Sequence, residues 1–377
     1  MQLAAYYFPN YHVDPRNEKV HGPKWTEWEL MKHATPRFPG HRQPRVPLWG
    51  YQDEADPAVM AQKIDAAANA GIDAFVFDWY WYDGPYLERA LDEGFLQAPN
   101  RSRMKFALMW ANHDWTDKHP VGYDGATCAR ILYPWTSTKK NVGEIWEMLI
   151  RKYFTRPEYW RVDGKPYFSI YATNRFIKQM GGPEATKEVL EDLQTKAKAA
   201  GLPGIHVNGL WFDNLDSQPF CVCPQATWTQ GMGFHSYTSY NNVGCTPIWQ
   251  EQQAFPTVDF RISNQQYMIQ AKHALETLPA PYYPVATTGW DSSPRTIQSD
   301  VFRPGSYPFF GIMDHDSDAF LEGLTALAEL LSSRPPQDQL LFINAWNEWT
   351  EGSYLEPDTQ LGTAYLDRIA EFRNSYR

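Results

Sequence analysis

The chain has 377 residues, 43% hydrophobic and 21% charged, which excludes a disordered chain or a coiled coil and is long enough for a sizeable core. Its 34 Lys and Arg against 44 Asp and Glu give a net charge of −10 with no basic run, which excludes nucleic acid bound through counterion release. No apolar stretch approaches the roughly 20 residues of a membrane span. Met1 leads straight into Leu3-Ala4-Ala5-Tyr6 with no basic segment ahead of it, so the expectation is a cytoplasmic chain or a mature exported form.

In chain order, short apolar runs predict strands over Leu3–Phe8, Ala74–Trp79, Phe106–Ala111, Tyr167–Tyr171, Gly204–Leu210, Ala226–Thr229, Tyr282–Thr288 and Leu341–Trp346. Each reads as a short apolar run ending in polar or aromatic residues, as a strand buried on both faces would. Helical periodicity falls between them, over Ala58–Ala70, Pro85–Leu96, Val142–Phe154, Pro183–Ala200, Asn264–Thr277, Ser317–Leu331 and Ala364–Asn374. The first of these helices is announced by Asp56-Pro57, a cap followed by Pro at the first helical position. Trp211–Pro224 shows no convincing helix. Connections from helix to strand are short, whereas Pro9–Asp56, Asn112–Lys140, Gly231–Phe260 and Gly289–Asp316 are long. Loops beyond roughly 15 residues are uncommon and usually functional. The fold class predicted is α/β, a single (β/α)8 TIM barrel forming one catalytic domain over 1–377. Its long strand-to-helix loops would rise at the C-terminal mouth.

The sharpest signal lies at the last strand, Asn344-Ala345-Trp346-Asn347-Glu348-Trp349-Thr350-Glu351-Gly352. Residues two apart share a strand face, so Asn344, Trp346 and Glu348 are expected to point into the barrel. Glu351 joins Glu348 only if the chain curls after the strand, a curl that Gly352 makes easy. Two carboxyls at an aromatic mouth suit glycoside hydrolysis, one protonated to donate to the leaving oxygen and one ionised as base or nucleophile. Unequal burial and mutual repulsion would split their pKa values. The plainer alternative is a pair of solvated Glu side chains or partners of a neighbouring Arg.

With 16 Trp, 22 Tyr and 20 Phe, the chain has aromatic surface beyond what a core alone explains. Tyr6, Glu27, Trp28, Asp78, Trp110, Asn112, Tyr171, Asn208, Trp290 and Trp346 are the candidate substrate contacts, though rim packing and helix capping are alternatives for each. No His-Glu-x-x-His, glycine-rich phosphate loop or Gly-x-Ser-x-Gly elbow is present, and no metal site is expected. Cys128, Cys221, Cys223 and Cys245 lack zinc spacing and read as buried thiols or one incidental bridge.

Several blocks resemble the WbsX-like domain family. They are Tyr6-Tyr7-Phe8-Pro9-Asn10-Tyr11-His12, Trp25-Thr26-Glu27-Trp28, Phe38-Pro39-Gly40-His41-Arg42-Gln43-Pro44, Trp110-Ala111-Asn112, and the run from Trp346 through Gly352 followed by Tyr354-Leu355-Glu356-Pro357. That family is similar to glycoside hydrolase family 99, the retaining endo-α-mannosidases, and was earlier described as glycosyltransferase. The resemblance implies a (β/α)8 barrel without cofactor. It also implies that Glu348 is the base deprotonating the sugar 2-hydroxyl, which attacks its own anomeric carbon, and that Glu351 is the acid. This route needs a 2-hydroxyl trans to the scissile bond, as in α-mannosides and α-L-rhamnosides. Two positions depart from the pattern: His113 stands where Glu often follows Trp-Ala-Asn, and Thr350 where family 99 enzymes usually have His.

The leading expectation is therefore a retaining glycoside hydrolase of polysaccharide degradation, with an oligosaccharide or polysaccharide as partner. The alternatives are a glycosyltransferase or transglycosylase of polysaccharide assembly, or a non-catalytic carbohydrate-binding barrel. Endo or exo action and oligomeric state carry no mark in the sequence.

Overall fold

The computed structural model describes residues 1–126, 128–211, 231–243 and 255–376. Nine parallel-paired strands form its centre: β1 (Gln2–Tyr7), β2 (Ala74–Trp81), β3 (Lys105–Trp110), β4 (Lys165–Ile170), β5 (His206–Leu210), β6 (Ser236–Thr238), β7 (Tyr282–Tyr283), β8 (Val285–Thr287) and β9 (Leu340–Asn344). Their order is β7-β6-β5-β4-β3-β2-β1-β9-β8. The two ends of this path, β7 and β8, are separated in sequence by Pro284 alone, so the sheet rolls into a barrel. Proline has no N–H for a ladder, but the Pro284 carbonyl still accepts from Phe342 N at 2.9 Å.

Strand register sets what faces inward. β1 meets β9 at Ala4↔Phe342 and β2 at Tyr6↔Val76. The Phe342 ring plugs the interior, 5.4 Å from Tyr6, 5.8 Å from Tyr167 and 6.0 Å from Trp160. On the outer face Phe77 packs on Phe95 at 5.7 Å. Parallel strands covered on both faces in this way are mostly apolar, which is why most of them were legible as runs.

The helices are α1 (Pro15–His21), α2 (Trp28–His33), α3 (Pro57–Ala70), α4 (Lys139–Leu149), α5 (Thr173–Met180), α6 (Pro183–Ala199), α7 (Phe260–Thr277), α8 (Ser317–Leu331) and α9 (Ala364–Ser375). Their starts are chemically marked: Asp56 accepts from Ala58 N at α3, Asp259 from Ile262 N at α7, and Asp316 from Ala319 N at α8. Among the described residues no helix is long and apolar enough to cross a membrane.

Four expectations need revision. The sixth barrel strand is Ser236–Thr238, inside a segment read as loop; the run Ala226–Thr229 lies outside the described residues. A short, polar strand carries no apolar signal. The helix expected over Pro85–Leu96 gives way to a hairpin pairing Tyr80 with Tyr86, then a π turn over Ala90–Gly94 and a 3-10 turn over Phe95–Gln97. Asp83 and Gly84, at φ 49° and 136°, make that hairpin turn. The α4 helix passes into a wider π turn over Ile150–Phe154. Finally, Cys128 is exposed rather than buried, and the other three cysteines lie outside the described residues.

Candidate active site

After β9 the chain makes a tight hairpin. Asn347 and Glu348 pair antiparallel with Tyr354 and Ser353, and a 3-10 turn over Trp349–Glu351 joins the two arms. Gly352 closes the turn at φ 64°, where a side chain would also meet Asp291 N at 2.6 Å. The same close approach lets Asp291 N donate to the Glu351 carbonyl at 2.6 Å, tying the hairpin to the loop after β8. Asp291 is itself fixed by His41 at 2.8 Å and Gln43 at 2.7 Å. Burial opposes its charge, but His41, Arg45 and Ser293 hold the carboxyl well below the usual range.

The hairpin brings the Glu348 and Glu351 carboxyls to one guanidinium. Arg295 donates to Glu351 Oε1 and approaches Glu348 Oε2 at 3.4 Å, while its Nη2 and Nε reach Glu27 Oε1 at 2.7 and 3.0 Å. Glu27 also accepts from Asn10 at 2.5 Å and from the Thr350 hydroxyl. Tyr307 donates to Glu351 Oε1 at 2.8 Å. On the other side, the Tyr240 hydroxyl lies 2.9 Å from Glu348 Oε1 and 3.0 Å from Asp78 Oδ2.

Four buried carboxyls around one cation cannot all ionise cheaply. Burial, then the field of Glu351, raises Glu348 well above the usual carboxyl range. Burial raises Asp78 in the same way, and it raises Glu351 against the pull of Arg295. Glu27 goes the other way: burial alone would raise it, but Arg295, His119 and the Thr350 hydroxyl hold it below its ordinary value. One carboxylate thus stays ionised as the counter-ion of Arg295. Burial pushes the other three toward their protonated forms, the direction a general acid requires.

The expected contacts divide accordingly. Tyr6 lies beneath the cluster, its ring 4.8 Å from Tyr240, and Tyr171 stands 5.5 Å from the same ring. Trp290 is next to the site, 6.3 Å from Tyr307. Glu27 is at the site but fully buried, engaged by protein donors rather than open to a ligand. Trp28 packs behind the hairpin, between Tyr11 and Trp349, with its indole N–H on Gln52 O. Trp110 faces the helices, against Trp146 and Phe176. Asn112 clamps the backbone of Ala172 through two hydrogen bonds, and Asn208 is spent on Ser169 and Ser236 inside the barrel. Trp346 packs 5.1 Å from Phe75, a ring of the outer face, so strict alternation from Asn344 to Trp346 does not hold. Trp110, Asn112, Asn208, Trp346 and Trp28 are therefore framework rather than pocket lining.

Sequence reasoning missed Arg295, Tyr240 and Tyr307. Arg295 sits in a Ser293–Arg295 turn within a long loop, and only the length of that loop hinted at function. Among the described residues no group of three or more His, Cys, Asp or Glu is arranged to hold a metal ion. A recess of about 940 Å³ opens at the opposite end of the barrel, between Gln2, Asp73, Lys105, Arg161 and Arg373, away from all of this chemistry.

Comparison with known proteins places this geometry in context. The solved structure of the GH99 endo-alpha-mannosidase from Bacteroides thetaiotaomicron matches over 100% of this chain and 97% of its own, with a TM-score of 0.59 at 15% identity. A structure described as a glycoside hydrolase-like protein matches over 98% and 93%, with a TM-score of 0.63 at 12% identity. These likenesses establish the barrel fold. A relative described as "Uncharacterized protein WxcX", from Xanthomonas campestris pv. campestris, is 27% identical over 97% of this chain. The chain spans about half (48%) of that relative's length. The profile of the family described as "Glycosyltransferase WbsX" matches residues 3–369. With its GH99-like barrel, this chain belongs to the WbsX family.

Proposed function

We propose that residues 1–377 form one catalytic domain, a retaining glycoside hydrolase that cleaves an α-linked glycan of α-mannoside or α-L-rhamnoside type. The observation that carries this reading is the buried Glu348/Glu351 pair on one short hairpin, sharing Arg295 at the barrel mouth. Glu348 as carboxylate removes the proton of the substrate 2-hydroxyl while that oxygen attacks the anomeric carbon. The bond to the leaving oxygen breaks as Glu351 protonates it. Glu351, now ionised, deprotonates a water that opens the three-membered ring at the anomeric carbon, and Glu348 returns its proton to the 2-oxygen. Two inversions give net retention, and both glutamates end as they began. Arg295 and Tyr307 steady the charge that Glu351 acquires midway.

Transfer to a sugar acceptor in place of water is the second reading, favoured by the family's description as a glycosyltransferase. The test offers α-mannosides, α-L-rhamnosides and heteropolysaccharides, with and without sugar acceptors, to wild type, Glu348→Gln and Glu351→Gln. Cleavage with retention at the anomeric carbon, lost at least about 10²-fold in both variants, upholds the hydrolase. Product growth only with an acceptor selects transfer. Equal glycan binding by all three proteins without cleavage makes the barrel a binding module.

A further inference from the structure

The Tyr240 hydroxyl stands between two carboxyl oxygens, 3.0 Å from Asp78 Oδ2 and 2.9 Å from Glu348 Oε1, and all three residues are buried. A phenol has one hydrogen to donate. With both neighbours ionised, one of these contacts would set lone pair against lone pair and leave a buried charge unsatisfied. A single added proton resolves it: one carboxyl donates to the phenol oxygen, and the phenol donates to the other.

The surroundings decide where that proton rests. Glu348 has a second donor, since Arg295 Nη2 lies 3.4 Å from Oε2. Asp78 has none. Among the described residues no donor reaches its buried Oδ1, which suits a neutral carbonyl and not half of a carboxylate. Among the described residues the titratable groups whose fields reach this trio include Tyr6, Tyr11, Tyr80, Glu27, Glu351 and Arg295, of which only Arg295 is cationic. It lies on the Glu348 side.

We propose that Asp78 remains protonated in the working protein and, through Tyr240, directs a hydrogen at Glu348 that keeps Glu348 ionised as the base. Asp78 is then a positioning residue for proton abstraction and not a sugar contact. The inference rests on the glycoside-hydrolase reading for its catalytic consequence, but the proton itself is observable without substrate.

The experiment compares Asp78→Leu, Asp78→Asn and Tyr240→Phe with wild type, each checked for an unchanged melting temperature. Asp78→Leu is expected to lower kcat about 10²-fold. Asp78→Asn, whose amide N–H donates to Tyr240 as the protonated carboxyl does, recovers most of that loss. Its acid limb of kcat/KM stays where the wild-type limb lies, because no charge has been removed. Tyr240→Phe takes a donor from Glu348 and moves the limb to higher pH. An Asp78→Asn protein as impaired as Asp78→Leu, or one whose acid limb moves to lower pH, overturns the proposal, since either result means that Asp78 was charged. Infrared spectra of resting protein with ¹³C-carboxyl aspartate supply the substrate-free arm. A protonated aspartate band that vanishes in Asp78→Asn supports the assignment, and an unchanged spectrum sinks it. If wild type cuts no glycan, the hydrolase reading fails while this band still decides the proton.

Discussion

The hairpin after β9 joins two buried ionic clusters that solve the same problem differently. Behind it, Lys63 meets Glu54 at 2.6 Å and Glu356 at 2.5 Å. Each of these carboxylates also holds a neutral donor, Asn347 Nδ2 on Glu54 and Trp349 Nε1 on Glu356, at 2.8 and 2.7 Å. In front, one guanidinium serves Glu27, Glu348 and Glu351, with Asp78 beyond Tyr240. The rear cluster has two acids per cation and interleaved neutral donors, which suits a brace. The front cluster has a surplus of acids and hydroxyls between them, which suits the storage and movement of protons. Asn347 and Trp349 belong to the brace and Glu348 and Glu351 to the candidate site, so adjacent residues of one turn are divided between the two clusters.

The comparison breaks most decisively at Lys63. Replacing it with Met leaves two buried carboxylates without a cation and is expected to cost about 3–5 kcal/mol, read from the denaturant midpoint. The front cluster should answer in the opposite sense. Because the folded-state pKa of Glu348 is raised, its contribution to stability is present below the unfolded value near 4.5 and is lost as pH rises through the folded one. Glu348→Gln, expected under the proposed mechanism to abolish cleavage, should therefore melt at least about 2 °C above wild type at pH 9, with the difference closing near pH 4. A melting temperature that falls at both pH values would make Glu348 a structural group.

The brace has a milder pH signature of its own. Burial and the nearby Glu356 push Glu54 up to about 7 against the pull of Lys63. Stability from this group falls as pH rises from about 4.5 to about 7, and Glu54→Gln should flatten that part of the profile. The weakest effect belongs to exposed pairs. Lys139→Ala, which removes the surface pair with Glu188, should leave the denaturant midpoint unchanged, since exposed ion pairs contribute little.

How much of this was readable beforehand follows from range. The barrel was legible because its strands are buried on both faces and several of its helices open with Asp caps, both local signals. The Glu348-Trp349-Thr350-Glu351-Gly352 turn is local too, and its curl followed from Gly352. Arg295 was not legible, because its meaning comes from Glu27, 268 residues away, and from Glu351, 56 away. Tyr240 follows a three-residue polar strand with no periodicity to announce it. Trp110 and Trp346 were misplaced for a further reason. Where both faces of a strand are aromatic, alternation does not tell the pocket from the helical layer, and Trp110 pairs in register with the outward Trp79. Thr350, which departs from the family-99 pattern, donates its hydroxyl to Glu27, so its contribution runs through the counter-ion of Arg295.

The last helix returns the chain to where it started. The Arg373 guanidinium donates to the Met1 carbonyl at 2.7 Å and to the Asp73 carboxylate at 2.8 and 2.9 Å, at the end of the barrel opposite Glu348. Met1 and the last helix thus meet at the base. A solid support attached beside Met1 or beside Arg373 holds the barrel with its mouth outward, and a crosslink between these two points needs to span only that one face.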